Sequence, residues 1–313
     1  MMILGIVMTA ATVTILVAEF LRARTRPFPL HAWTGLAALA AAHFLMFRKV
    51  APVSIYFTPI AWTAWIFLAD GMVWSVQGTS RLRSQPRALG ITALLSLPLW
   101  LIFEAYNLRL QNWTYIGLPA NLVARYFGYG WSFMTITPAI LVTADLVESF
   151  GWFPAAARPV KFSPPVQRGM MVAGALLLAV PVLVPREAGA YFFAAIWVGF
   201  IFLLEPANHR LRLPSLLSAL EQGRRGRLYA LLVSGWVCGW LWEFWNYWAA
   251  AKWIYIFPMF QSLKIFEMPV PGYLGFPPFA LECFVMMEFA MWTVGKIHRG
   301  ILPAAGDRIA GKA

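Results

Sequence analysis

The sequence predicts an all-α polytopic membrane protein of about nine transmembrane helices, arranged as two parallel four-helix repeats behind one N-terminal helix. Three observations predict it. The chain is 60% hydrophobic and only 12% charged over 313 residues, about half the charge of a soluble domain. Its basic residues alternate between the connections that join successive apolar segments. A set of rare residues recurs in the same order in both halves.

A bilayer core is spanned by about 20 apolar residues, and on that scale the segments are 2–21, 30–47, 53–74, 88–107, 126–149, 169–184, 190–205, 228–250 and 276–295. The first has no positive n-region and is followed by Arg22, Arg24 and Arg26. That charge order is the reverse of a secretory signal, so it reads as a retained helix. The connections after segments one, three, five, seven and nine carry 18 Lys and Arg, and the other four carry 7. Basic residues collect on the cytoplasmic side of short loops, so the chain is expected in the cell membrane with its N-terminus outside and its C-terminus in the cytoplasm. The formal charge of +12 is thereby a topology signal, and no nucleic-acid partner is implied. The basic stretch between 205 and 227 reads as a cytoplasmic amphipathic segment facing anionic lipid.

The repeat appears at two places. A shift of 135 overlays Tyr56–Asp70 on Tyr191–Glu205 with six identities in fifteen positions. Shifts of 139 and then 140 bring Glu104, Asn107, Trp113 and Tyr115 onto Glu243, Asn246, Trp253 and Tyr255. The expected organisation is an N-terminal helix (1–27), a first repeat (28–150), a cytoplasmic linker (151–168), a second repeat (169–299) and a cytoplasmic tail (300–313). Four crossings per copy make the copies parallel.

Carboxylates inside apolar runs are costly and mark candidate sites. Glu104 and Glu243 each precede an Asn at i+3 on the same helix face, which predicts that Asn107 and Asn246 orient the carboxyls. Segment nine enters through Gly272, Gly275, Pro277 and Pro278 and then carries Glu282 and Glu288. The first copy has no acid at the depth of Glu282, so an asymmetric centre is expected, with the second half supplying the acid. An apolar site keeps a buried carboxyl protonated, and such a group can protonate an alkene. Aromatic faces stabilise the resulting cation, so Trp240, Trp242, Trp245, Trp253 and Tyr255, with Trp113 and Tyr115, are expected to bind substrate. Asp70 and Glu205, near the opposite helix ends, are expected to pair with Arg81 or Arg210. Cys238 and Cys283 lie in apolar runs, and His31, His43, His209 and His298 show no ligand spacing. No metal or other cofactor is implied.

The stretches Trp242-Glu243-Phe-Trp-Asn246, Lys252-Trp253-Ile-Tyr255 and Gly275-Phe-Pro277-Pro278-Phe-Ala-Leu-Glu282 resemble the membrane-integral lycopene β-cyclase domain family and the related carotenoid hydratases. The resemblance covers the last three helices of each half, roughly half of the chain. It implies two copies of a three-helix unit forming one redox-neutral enzyme, in which an acid protonates a polyene end. The expected function is therefore isoprenoid modification by carboxylate acid–base chemistry on a C=C bond: a carotenoid or polyprenoid cyclase, hydratase or isomerase with a membrane lipid or isoprenoid as partner. The alternatives are a small-molecule or lipid transporter built on the internal repeat, and a lipid-binding scaffold without chemistry.

Overall fold

The computed structural model describes residues 1–154 and 156–297; His298 and the expected tail at 300–313 lie outside them. Nine long helices stand among the described residues: α1 (Met2–Ala23), α2 (Leu30–Phe47), α3 (Phe57–Gln77), α4 (Pro86–Leu110), α5 (Leu122–Ser149), α6 (Pro164–Leu183), α7 (Phe193–Arg210), α8 (Gly226–Trp248) and α9 (Phe276–Ile297). Eight are long and apolar enough to cross a membrane. The exception by composition is α8, whose five indoles, Glu243 and Asn246 lower its hydropathy; it is enclosed by α1, α3, α5 and α9. The chain is an all-α polytopic membrane protein.

Boundaries follow local chemistry. The expected segment 53–74 is interrupted at Tyr56, between a short helix Ala51–Ile55 and α3. Pro59 then falls in the first turn of α3, where a missing N–H is tolerated. Gly78, with φ of +79°, ends α3 in the left-handed conformation that glycine adopts without steric cost. Asn121 caps α5 by accepting from the Ala124 N–H.

The helices pack in matching pairs in the two halves: α2 on α3, α3 on α5 and α4 on α5, then α6 on α7, α7 on α9 and α8 on α9. Where α2 meets α3, Gly35 lies against the backbone of Ala64 and Leu68; where α6 meets α7, Gly174 lies against the backbone of Gly199 and Leu203. Small residues permit such close helix approach in a membrane, where dispersion rather than hydrophobicity holds helices together. The halves meet through α5 against α8 and α4 against α9, and α1 packs on α8 and α3.

Two strands complete the junction. β1 (Trp113–Ile116) follows α4 and β2 (Lys252–Tyr255) follows α8; they pair antiparallel with Trp113 opposite Tyr255 and Tyr115 opposite Trp253. Both α4 and α8 therefore end at one ribbon, on one face of the bundle, and run in the same sense. Gly117, with φ of +68°, turns the chain away from β1 directly against the Ala250 carbonyl, where a side chain has no room. A smaller hairpin, β3 (Lys264–Ile265) with β4 (Met268–Pro269), lies in the longer connection of the second half.

On the opposite face, Asp70 Oδ1 accepts from the Leu82 N–H and Glu205 Oε1 from the Leu217 N–H, each at 2.9 Å. Backbone donors at the start of a short helix thus replace the expected arginine partners. Arg81 instead pairs with Asp145, and Arg210 bonds Gln167. Asp145 also takes Arg227 at 2.8 Å, tying the start of α8 to α5. Arg81 donates through Nε and Nη2 to the two Asp145 oxygens, the two-pronged fit of a guanidinium to a carboxylate. The amphipathic stretch near 216 faces protein: Leu216 and Leu217 are buried, Leu216 in the cluster formed by Leu141, Leu231 and Phe284.

Candidate active site at the ribbon

The last turns of α4 and α8 build one arrangement twice. Asn107 Oδ1 accepts from the Asn112 and Trp113 N–H groups at 2.8 and 3.1 Å, and its amide donates to the Trp113 carbonyl at 2.9 Å. Asn246 does the same for Trp253, at 3.0 and 2.9 Å. Each Asn therefore clasps the strand and not the carboxyl, because its amide matches the N–H and C=O of one extended residue. The expected carboxyl-orienting role passes to the strand: Tyr115 donates to Glu104 Oε1, and Tyr255 donates to Glu243 Oε1 at 2.9 Å. Burial, and then the neighbouring carboxyl, hold both phenols well above their usual titration range. They remain O–H donors at neutral pH.

The two glutamates differ in their other partners. Glu104 Oε1 also accepts from Trp100 Nε1 at 2.9 Å and Trp113 Nε1 at 3.3 Å. Trp253, the counterpart of Trp113, donates instead to the Tyr255 hydroxyl at 2.9 Å. A shift of 139 puts Gly239 where the first half has Trp100, and the Phe276 ring fills that space.

Between the halves lies an aromatic cleft with about 1010 Å³ of empty space, its open mouth included. More than half of the side chains in its wall are aromatic. They include Trp113, Tyr115, Trp242, Trp253 and Tyr255 of the expected set. Each of the three residues that hold Glu104 Oε1 lines it; Glu104 itself is half-buried and stands behind that wall.

The other expected residues lie elsewhere. Glu243 and Glu282 are fully buried, and neither lines the cleft. Glu282 Oε1 accepts from the Phe200 N–H of α7 at 3.0 Å. The connection carrying β3 and β4 closes over the second half: Tyr273 stacks on Trp240 at 4.3 Å, and Phe266 packs on Phe244 and Tyr247. Trp240 is thus covered by protein. Trp245 donates to His43 Nε2 at 3.1 Å and meets Trp62 edge-on at 4.7 Å, away from the cleft. Of the three acids, Glu104 is the least buried. Sequence reasoning missed Trp100, Trp62, Phe279 and Arg125 in the wall. A signal existed in α5, where Arg125, Tyr129, Ser132 and Ile136 recur at i, i+4, i+7 and i+11 and face the cleft together.

Fold and site define a polytopic α-helical membrane protein with an aromatic cleft and a carboxyl-phenol pair at the junction of its two halves. Comparison of the chain with protein-family models, with curated proteins and with solved structures finds no match.

Proposed function

We propose that this protein is a membrane enzyme that modifies an isoprenoid by redox-neutral acid–base chemistry on a C=C bond, with Glu104 as the acid. The observation that carries this reading is the convergence of three donors, from Trp100, Trp113 and Tyr115, on one oxygen of Glu104 beside an aromatic cleft. With Oε1 so engaged, the transferable proton sits on Oε2. As it passes to an alkene carbon, a C–H bond forms, the π bond breaks and charge moves onto Oε1, where the donors already point. The cation left on the substrate lies among indole faces, which stabilise it. Loss of a proton from a neighbouring carbon back to the carboxylate gives a shifted double bond or a ring; addition of water and loss of its proton gives an alcohol. The resemblance of 242–282 to the lycopene cyclase domains supports the same chemistry.

In this reading, 28–150 and 169–299 are copies of one unit, supported by the shared Asn clasp, the Gly35 and Gly174 contacts and the self-matching ribbon register. The protein sits in the cell membrane with its N-terminus and the ribbon outside and its C-terminus in the cytoplasm, as the loop charges require.

Expression in a host that makes polyprenoids or carotenoids tests the activity. Extracted lipids should contain a new species equal in mass to its precursor or heavier by one water. An unchanged extract, with the protein present in the membrane, would overturn the enzyme reading and leave the transporter.

A further inference from the structure

The cleft is not uniformly apolar. Two charged side chains line it, Arg125 and Lys252, and both are cationic. Lys252 is neutralised by Glu267 at 2.6 Å. Arg125 donates through Nε to the Pro119 carbonyl at 3.0 Å and forms no ion pair among the described residues. Thr58 also lines the cleft; it is 7% exposed, and its hydroxyl has no hydrogen-bond partner among the described residues. A buried hydroxyl without a partner costs stability unless something completes it, so this wall is built to meet a polar group. No carboxylate lines the cleft to repel an anion.

The order of residues along α5 fixes where that polar group sits. Arg125 lies in the first turn, on the ribbon face, and Tyr129, Ser132, Phe133 and Ile136 follow inward. From Arg125 to Ile136 is about 16 Å along the helix axis. Tyr129 packs against Tyr115 at 5.1 Å, and Tyr115 holds Glu104. Tyr129, one helical turn inward of Arg125, thus packs on the phenol that holds the acid.

We infer that the substrate is a phosphorylated isoprenoid, with its phosphate on Arg125 and its chain among the indoles. A guanidinium fork suits phosphate oxygens, while an amphiphile with its head at the membrane surface enters the cleft chain-first. This inference rests on the isoprenoid reading above and specifies its substrate class.

The test uses the full chain in detergent, with tryptophan fluorescence as the readout and three probes: geranylgeranyl phosphate, geranylgeraniol and lysophosphatidate. Wild-type protein should bind the phosphate about tenfold tighter than the alcohol, the worth of one charge-assisted hydrogen bond. Arg125→Gln should lose that preference while still binding the alcohol, and Arg125→Lys should keep most of it. Lysophosphatidate should bind more weakly than geranylgeranyl phosphate. Equal binding of phosphate and alcohol by wild-type protein, or an unchanged preference in Arg125→Gln, would overturn the phosphate assignment and leave the isoprenoid reading standing. Lysophosphatidate binding as tightly as the isoprenyl phosphate would make the site one for lipid headgroups. Failure of both isoprenoid probes to bind would overturn the isoprenoid reading itself.

Discussion

Glu104→Gln should lower turnover of the isoprenoid product by about 10²- to 10⁴-fold, the usual contribution of a positioned general acid. Glutamine keeps an acceptor for the Trp100, Trp113 and Tyr115 donors, so the variant should fold and insert at wild-type levels. What it lacks is a proton that can pass to carbon. Glu243→Gln is the matched control: that carboxyl makes the same bond to its tyrosine but is fully buried, where Glu104 is half-buried. Its turnover, normalised to folded protein in the membrane, should stay within a few-fold of wild type, well short of a lost general acid. Turnover of Glu104→Gln at the wild-type rate would remove Glu104 from the chemistry. A larger loss in Glu243→Gln than in Glu104→Gln would move the acid to the second half.

The second large effect falls on stability. Asn246→Ala removes both bonds that hold Trp253 and leaves a backbone N–H and a C=O without partners behind a side chain that is itself fully buried. Each unsatisfied buried group costs about 1–3 kcal/mol, so the variant should lose roughly 2–6 kcal/mol. Thermal unfolding in detergent, followed by tryptophan fluorescence, should show a clearly lowered midpoint. Asn107→Ala should cost less, because Asn107 is half-buried and water can replace part of what it provides. The two values separate a positioning role from a catalytic one. If Asn246→Ala unfolds at the wild-type temperature, the clasp is not what holds the ribbon.

Much of the fold was legible because its signals are short-range. Apolar stretches of bilayer length lie at or near each of the nine long helices, with ends displaced by a few residues where Pro or a carboxyl cap intervenes. Pro164 starts α6 earlier than the ragged apolar run suggested, and α7 extends past Glu205, whose carboxyl caps the next short helix through Leu217. The break at Tyr56 was not read from the sequence, although Pro59, three residues on, carries a helix-start signal.

The site was legible in kind but not in assignment. The paired spacing of Glu, Asn, Trp and Tyr marked the residues that form the ribbon junction, because recurrence of rare residues reflects a shared three-dimensional need. The spacing could not show what each Asn bonds. Residues at i and i+3 share a helix face whether the amide turns to the carboxyl or to a strand six or seven residues further on.

What the sequence by itself determined is the membrane as solvent, the order and rough extent of the helices, and the pairing of Glu104 and Tyr115 with Glu243 and Tyr255. These depend on composition, length and order, which a linear chain carries in full. Only the tertiary structure decided how deeply each acid is buried. That depends on the hairpin connection packing over Trp240, on Phe276 filling the space at Gly239, and on Trp113 and Trp253 choosing different acceptors. Each is a contact between segments that no local pattern relates, so two similar stretches of sequence became one half-buried acid and one fully buried one.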